Sequence, residues 1–186
     1  VTMVYGGLVN KNIVAGLQAR NINAVGLTGA DMNAILSDKR PVKDVDYGFV
    51  GDVKKVNGEM LSELISKGIV PVMAPLTHDG KGNILNTNAD TIAGETAKGL
   101  SPYFDVTLVY CFEKKGVLSD ENDDNSVIKV ITPDLFKKYV DEGVIQGGMI
   151  PKLENSFSAI ENGVCKVIIK QASDISDSEA GTTIMK

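Results

Sequence analysis

A lysine occupies an unusual position in the segment Gly147-Gly148-Met149-Ile150-Pro151-Lys152-Leu153. The apolar residues that follow recur at helical spacing, which predicts a helix from Pro151 to about Glu161. Lys152 then lies at the positive end of the helix dipole, which disfavours a cation by roughly a few tenths of a kcal/mol. An anion would explain the lysine, because the N–H groups of the Gly147-Gly148 turn would help to hold it. The alternative interpretation is a flexible lysine whose ammonium group is solvated.

A second polar segment, Asn86-Thr87-Asn88-Ala89-Asp90, stands where a loop after an apolar strand enters a helix. Open α/β sheets bind ligands at this kind of edge. The amides of Asn86 and Asn88 can donate to an anion or a carbonyl, and Asp90 can accept from a lysine. The alternative is ordinary helix capping, with Asn88 as the N-cap and Asp90 favourable in the first turn. Spacing alone does not choose between the two.

Three further features carry less chemistry. The turn Gly26-Leu27-Thr28-Gly29 lacks the spacing of a dinucleotide fingerprint or a P-loop. The acidic run Asp120-Glu121-Asn122-Asp123-Asp124 is followed by Asn125, where a calcium loop requires glycine, so we interpret it as the solvated tip of a hairpin. His78 is the only histidine, and without a second histidine or a nucleophile beside it we interpret it as a loop residue.

The composition is that of an ordinary folded protein with an acidic balance. The 186 residues, 43% hydrophobic and 23% charged, predict a single domain over residues 1–186. The net charge of −5 argues against a nucleic-acid partner, whose affinity would need a basic face. No apolar run reaches the roughly 18 residues of a membrane span, so we expect no membrane partner. Cys111 and Cys165 lie in apolar runs, which predicts buried free thiols in a reducing, cytoplasmic compartment.

Apolar runs alternate with helix-like segments along the chain, which predicts an α/β fold with a mainly parallel sheet covered by helices. Pro71 weakens one of the predicted strands, because proline cannot donate to a ladder. A polar loop is predicted over 77–83. The predicted helices are residues 1–20, a helix after the N-cap Asn57, one ending near Gly99, one starting at Thr132-Pro133, and 151–161. The predicted strands are 23–27, a strand pair or bulged hairpin over 47–56, 69–74, 105–112, 126–131 and 166–170.

Taken together, several segments resemble the amino acid kinase superfamily, and most closely its N-acetylglutamate kinase members. The segment 86–90 is similar to the family's Asn-x-Asn-Ala-Asp element, and 147–152 is similar to its Gly-Gly-Met-x-x-Lys element. Gly48-Phe49-Val50-Gly51-Asp52-Val53 and Gly181-Thr182 resemble its hairpin and C-terminal segments. The similarity follows the family's order over essentially all 186 residues. It implies a three-layer αβα sandwich with a mainly parallel open sheet.

The resemblance also implies a reaction and its residues. Phosphate would pass from MgATP to the γ-carboxylate of N-acetyl-L-glutamate, or of another N-acyl-L-glutamate such as N-succinyl, in arginine biosynthesis. Lys152 would stabilise charge on the transferring phosphoryl group, Asp90 would orient the catalytic lysines, and Asn86 would hold the acyl amino acid. Mg²⁺ would be carried by the nucleotide, and the family habit is a homo-oligomer. The nucleotide would lie along Glu113, Lys114, Lys115, Gly116, Val117 and Leu118, and along Val144, Ile145 and Gln146.

Two departures from the family pattern matter. The family begins with a strand carrying another catalytic lysine, then glycine-rich turns and an arginine that binds the substrate, and none of these stands before Val1. We therefore expect the C-terminal portion of the family fold, with N-terminal units missing, and negligible turnover from such a fragment. Cys111-Phe112-Glu113-Lys114-Lys115-Gly116 also replaces the usual Ser/Thr-Asp-x-x-Gly sequence at the nucleotide edge. The alternatives are a sibling activity, such as aspartate or uridylate phosphorylation, or a non-catalytic module that binds an amino acid or nucleotide.

Overall fold

A computed structural model describes every residue from Val1 to Lys186. The chain forms two compact units, which we call unit 1 (Val1–Tyr103) and unit 2 (Phe104–Lys186). Both units combine helices with strands, and four of the seven strand pairings are parallel. The predicted α/β class with mainly parallel strands is therefore confirmed. That the two units belong to the single predicted domain stays a prediction.

Unit 1 contains two sheets and the helices that cover them. Its elements are, in chain order, a π-helical segment Thr2–Val9, α1 Asn10–Gln18, β1 Ala24–Leu27, β2 Ile35–Lys39, β3 Gly51–Val56, α2 Gly58–Ser66, β4 Val70–Met73, β5 Leu76–His78, β6 Ile84–Asn86 and α3 Ala89–Leu100. Strands β1 and β4 form a parallel pair, and the second sheet has the order β3-β2-β5-β6. Helix α3 packs on β3 and on α2, so the sheet and α2 fix the position of the residues at its N-terminus.

Pro71 is compatible with the pairing of β4 and β1 because its nitrogen faces away from β1. The N–H of Val70 donates to the carbonyl of Asn23 at 2.8 Å, and the N–H of Ala74 donates to that of Leu27 at 2.8 Å. Successive residues of a strand present their N–H groups to opposite sides. The nitrogen of Pro71 therefore points away from β1, and no ladder bond is lost.

The second sheet of unit 1 departs from the sequence prediction in two places. The predicted strand pair over 47–56 is a single strand, β3, whose antiparallel partner is the unpredicted β2, with a register shift between Leu36 and Ser37. Thr77 and His78 belong to β5 and not to a loop. Thr77 is fully buried, and its hydroxyl lies 2.9 Å from that of Thr87. Thr77 was predicted to lie in a loop because it is polar, and its hydrogen-bond partner inside the fold cannot be recognised from the neighbouring sequence.

His78 is held between two neighbours and is not a free loop residue as predicted. Its Nδ1 accepts a hydrogen bond from the N–H of Gly80 at 3.2 Å. The proton of the neutral ring is therefore on Nε2, which donates to Oδ1 of Asn33 at 2.8 Å. The imidazole thus joins the end of β5 to the turn that precedes β2.

The turn between β5 and β6 depends on one carboxylate, which gives a pH-dependent prediction. Oδ1 of Asp79 accepts from the N–H groups of Lys81 at 2.8 Å and Asn83 at 3.1 Å, and Oδ2 accepts from the side-chain amide of Asn83 at 2.7 Å. The Asn83 side-chain bond is the largest cause that lowers the pKa of Asp79 to about 2 from its ordinary 3.8. This carboxylate therefore favours the fold above about pH 4, and its contribution is lost as the pH falls towards 2.

We expect the variant Asn83→Ala to raise the pKa of Asp79 towards its ordinary value, as measured by NMR titration of the carboxyl carbon. Lys81→Ala is the control, because Lys81 contributes only a backbone N–H, which alanine retains. An unchanged Asp79 pKa in Asn83→Ala would contradict the prediction.

Unit 2 contains one four-stranded sheet, two α-helices and a short 3-10 helix, Ala172–Asp174. Its elements are β7 Thr107–Phe112, β8 Val130–Ile131, α4 Pro133–Asp141, α5 Met149–Glu161, β9 Lys166–Gln171 and β10 Thr182–Ile184. The strand order is β7-β9-β10-β8, in which β7 runs parallel to β9 and β10 runs antiparallel to β9. Helix α5 packs on β9 and β10 and carries fully buried Leu153 over a core that includes Ile169 and Ile184. This packing fixes α5 relative to the end of β7.

Several predictions in unit 2 need correction. Cys111 and Cys165 are free thiols as predicted, but both are exposed. In β7 the buried residues are Leu108 and Tyr110, and the alternate ones face outwards, because only one face of the strand is covered. The strand predicted over 126–131 is shorter, since β8 is only Val130–Ile131. Helix α5 begins at Met149, two residues before the predicted Pro151.

Candidate functional site

A cavity of about 360 Å³ in unit 2 contains most of the predicted nucleotide positions. Seven of the nine line it, although they come from two separate stretches of chain: Lys114, Gly116, Val117, Leu118, Val144, Ile145 and Gln146. The first stretch follows β7, and the second follows α4. The lining combines aliphatic side chains with a few polar groups, which is typical of a small-molecule site.

Glu113 and Lys115 do not line this cavity. The Lys115 ammonium group donates to Oδ1 of Asn125 at 3.3 Å, and Glu113 is exposed. Lys114 does line the cavity, but its ammonium group is paired with Asp124 at 3.1 Å. The two lysines therefore bind the acidic hairpin that follows them.

The segment Gly116–Leu118 is anchored to the sheet by a buried hydroxyl. The N–H of Val117 donates to Oγ1 of Thr182 at 2.8 Å, and both residues are buried. A side chain at Gly116 would lie 2.7 Å from the same oxygen and 2.9 Å from Cγ1 of Val127. Glycine at 116 thus allows this wall of the cavity to lie directly against β10.

Thr182→Val tests this anchor, because valine keeps the shape of threonine and removes the acceptor. The buried Val117 N–H would lose its partner, so we expect the free energy of unfolding to fall by about 1–3 kcal/mol. We also expect a several-fold higher KM for ATP, since the cavity wall is no longer fixed. Urea unfolding and steady-state kinetics of the full-length polypeptide measure the two effects. Thr183→Val is the matched control on the same strand, and equal behaviour of the two variants would contradict a role for the anchor.

Lys152 lies in the first turn of α5, as the sequence predicts, and contacts two aromatic rings. Its Nζ is 4.1 Å from the ring centroid of Phe112 and 5.6 Å from that of Tyr110. The residue is half-buried, so its stem is packed and its ammonium group lies over the end of β7. The aromatic rings restrict the positions that the charge can take.

The N-terminus of α5 provides further features suited to an anion. Gly148 is the N-cap residue and offers no side-chain cap, and Gly147 has a φ of +56°, which favours glycine. The N–H groups of Met149 and Ile150 donate to the carbonyls of Gln146 at 3.2 Å and Gly147 at 3.3 Å, so the feature of this helix end that favours an anion is the positive end of its dipole. Met149 lines the cavity, and Lys152 stands three residues later on the same face of α5. The cavity, the helix end and the lysine are therefore neighbours.

The segment 86–90 lies in unit 1 and shows the predicted capping geometry. Oδ1 of Asn88 accepts from the N–H of Thr91 at 3.1 Å, which makes Asn88 the N-cap of α3. Asp90 lies in the first turn of α3, where the helix dipole favours a carboxylate. The capping role that the sequence offered as an alternative therefore belongs to Asn88, and neither Asn86 nor Asp90 is the N-cap.

Asn86 ends β6, and its exposed side chain lines a second cavity, of about 310 Å³. The backbone N–H of Asn86 donates to the carbonyl of Phe49 at 2.8 Å, which ties this position to the chain before β3. The other lining residues are Val1, Thr2, Tyr47, Phe49, Val50, Leu76 and Ile84. Most of these residues are apolar or aromatic, and Asn86, Thr2 and Tyr47 are the lining residues with polar side-chain groups.

The sequence analysis did not identify three residues that line the nucleotide cavity: Glu121, Asn122 and Met149. Met149 belongs to the segment 147–152, which resembles the family's Gly-Gly-Met-x-x-Lys element, but it was given no role in the nucleotide site. Glu121 and Asn122 belong to the acidic run, which the structure confirms as a hairpin tip, since Leu118 and Val127 pair antiparallel below it. The sequence did contain one indication that the acidic run lies beside the predicted nucleotide segment. Lys114 and Lys115 in that segment are positively charged and therefore attract acidic residues.

A model of the amino acid kinase family matches residues 1–171. The chain belongs to this family and is a kinase. It is 75% identical to the acetylglutamate kinase of Phocaeicola vulgatus over 186 residues, all of this chain and 72% of that protein. A crystal structure of smu.665 from Streptococcus mutans UA159 shows the same fold at 31% identity and a TM-score of 0.80, covering 100% of this chain and 70% of that one. The carbamate kinase of Giardia, at 15% identity, has a TM-score of 0.69 over 99% of this chain and 70% of its own.

These comparisons confirm the predicted family and the predicted amino acid kinase fold. They also show that the relatives are longer than this chain, which spans 72% of the Phocaeicola protein. As a kinase, the protein takes its phosphoryl group from ATP. No helix has both the length and the apolarity needed to cross a membrane.

Proposed function

We propose that the protein transfers the γ-phosphoryl group of MgATP to the γ-carboxylate of an N-acyl-L-glutamate, with N-acetyl-L-glutamate as the first candidate, in arginine biosynthesis. The observation that carries the nucleotide half of the proposal is the cavity of about 360 Å³ lined by both predicted segments. The 75% identity to a protein named acetylglutamate kinase supports the choice of acceptor.

The chemistry requires no general base. A carboxylate is already ionised and nucleophilic at pH 7, so the barrier lies in positioning the two substrates and in neutralising charge on the phosphoryl oxygens. Lys152 meets the second need, because its ammonium group lies next to the uncapped end of α5. Mg²⁺ arrives as part of the MgATP substrate and neutralises further charge.

In this proposal, the nucleotide and the acyl amino acid are bound by different residues. The base and ribose occupy the cavity, and the phosphates extend towards Gly147, Gly148 and Lys152. Asn86 donates its amide to the acyl amino acid, whose acyl group suits the apolar cavity beside it. From the family resemblance alone, Asp90 is proposed to orient a catalytic lysine by charge and to accept no proton.

An ADP-release assay on the full-length polypeptide tests the proposal. We expect MgATP-dependent ADP release with N-acetyl-L-glutamate or N-succinyl-L-glutamate, and an acyl phosphate that hydroxylamine traps. L-Aspartate, L-glutamate and UMP serve as control acceptors. Turnover with a control acceptor and none with either acyl-glutamate would overturn the assignment. The predicted homo-oligomer and cytoplasmic location stay predictions; analytical ultracentrifugation and cell fractionation measure them.

A further inference from the structure

Two residues outside the predicted site contribute to one wall of the nucleotide cavity. Glu121 and Asn122, at the tip of the hairpin that we call the acidic tip (Ser119–Ser126), line it together with Lys114. We propose that the Glu121 carboxylate accepts hydrogen bonds from the ribose hydroxyls of the bound nucleotide and so selects ribonucleotides. This inference rests on the proposed use of the cavity by ATP.

The acidic tip is held in one shape by its own hydrogen bonds. The N–H of Ser119 donates to the carbonyl of Ser126 at 2.9 Å and closes the hairpin. The Ser126 hydroxyl donates to the carbonyl of Asp123 at 2.7 Å and accepts from the N–H of Asp120 at 3.0 Å. Oδ1 of Asp120 accepts from the N–H of Asn122 at 3.0 Å. A ligand that meets Glu121 therefore meets a tip already in place, which lowers the entropy lost on binding.

Lys114 lines the cavity and also binds the acidic tip. Its ammonium group donates to the carbonyl of Glu121 at 3.4 Å and to Oδ1 of Asp124 at 3.1 Å. The ion pair with Asp124 offsets the lysine charge at this wall. Glu121 thus keeps a carboxylate at the cavity while the nearby cation is already engaged.

These charges decide which part of a nucleotide meets the acidic tip. A polyphosphate is repelled by Glu121, and Lys152 and the N-terminus of α5 attract it to the other stretch of the lining. The aliphatic residues Val117, Leu118 and Ile145 suit the flat base. A carboxylate only accepts hydrogen bonds, and two neighbouring hydroxyls match its two oxygens. Dinucleotide sites use an acidic residue on the ribose in the same way.

Isothermal titration with ADP and 2′-deoxy-ADP on the full-length polypeptide tests the proposal without requiring turnover. We expect the unmodified protein to bind ADP about tenfold more tightly than 2′-deoxy-ADP, which corresponds to about one hydrogen bond to a charged group. Glu121→Ala should reduce that ratio to about one, mainly by weakening ADP. Glu161→Ala is the matched control, because Glu161 is an exposed glutamate of unit 2 at the far end of α5.

The outcomes separate this inference from the proposed function. Equal binding of the two nucleotides by the unmodified protein, or an unchanged ratio in Glu121→Ala, would overturn the role of Glu121 and leave the nucleotide site standing. A change in the ratio of ADP to inosine diphosphate without a change in the deoxy ratio would place Glu121 on the base and also overturn it. Absence of any ADP binding would overturn the proposed function itself.

Discussion

Replacement of Lys152 by methionine is expected to lower kcat by about a thousandfold while the KM for ATP changes little. The lysine is proposed to stabilise charge that develops on the phosphoryl group in the transition state, and removal of one such preorganised group costs about 10²–10³ in kcat. Methionine preserves the length and the packing of the stem against Phe112 and Tyr110. It loses the cation–π contact, which is worth about 0.5–1 kcal/mol at a partly exposed site. The fold should therefore survive.

Lys138→Met is the control for the loss of a lysine from unit 2. Lys138 is exposed on α4, and its ammonium group lies 3.8 Å from Glu142 in a surface pair of little energetic value. Steady-state kinetics on both variants of the full-length polypeptide, with urea unfolding as the check on folding, make the comparison. A Lys152→Met enzyme that retains kcat within about threefold of the control would refute the role of this residue in catalysis.

The variant Gly58→Ala is expected to destabilise the protein by about 3 kcal/mol. A Cβ at residue 58 would lie 1.8 Å from the carbonyl oxygen of Gly99 and 2.7 Å from its carbon. These atoms belong to the backbone of α3, so a side-chain movement cannot relieve the clash, and α2 must shift away from α3. Because α3 packs on α2 and carries the proposed site residue Asp90 in its first turn, the shift also weakens the support of that helix. We therefore expect lower activity even in the fraction that folds.

Gly16→Ala is the matched control, since Gly16 lies inside α1 and a Cβ there would approach no closer than 3.9 Å to any neighbour, the Arg20 guanidinium. Alanine in an open helical position stabilises by about 0.5–1 kcal/mol. Urea midpoints at unchanged slope measure both effects. Equal midpoints for the two variants would mean that α2 and α3 do not require this close approach.

The helix starts were the features most readable from the sequence. Asn57 accepts from the N–H of Met60 at 3.2 Å, and Thr132 accepts from that of Leu135 at 3.4 Å, as expected for N-cap residues. Each of these bonds joins residues three apart, so the information that specifies it is contained in a few adjacent residues. The exposed and buried faces of a strand were harder to predict from the sequence. The apolar run around Cys111 forms a strand with one covered face, and which face is covered depends on residues far along the chain.

Pairing partners were also hidden from the sequence. The strands β2 and β10 are short and partly polar, and they become strands because β3, β5, β8 and β9 pair with them. Thr77 and Thr87 resemble loop residues until their hydroxyls meet inside the fold. Such residues carry no local signal, because their stabilising partners are ten or more positions away.

By itself, the sequence determined the family, the α/β class, the N-caps of several helices and the residues on which the proposed chemistry depends, because motifs and caps are local patterns. The tertiary structure decided the shape of the nucleotide site. It brought 114–118 and 144–146 to one cavity, fixed Val117 through Thr182, and placed the acidic tip with Glu121 as a further wall. These contacts join residues that are up to 65 positions apart, and only the packing of α5 and the sheet sets the distances between them.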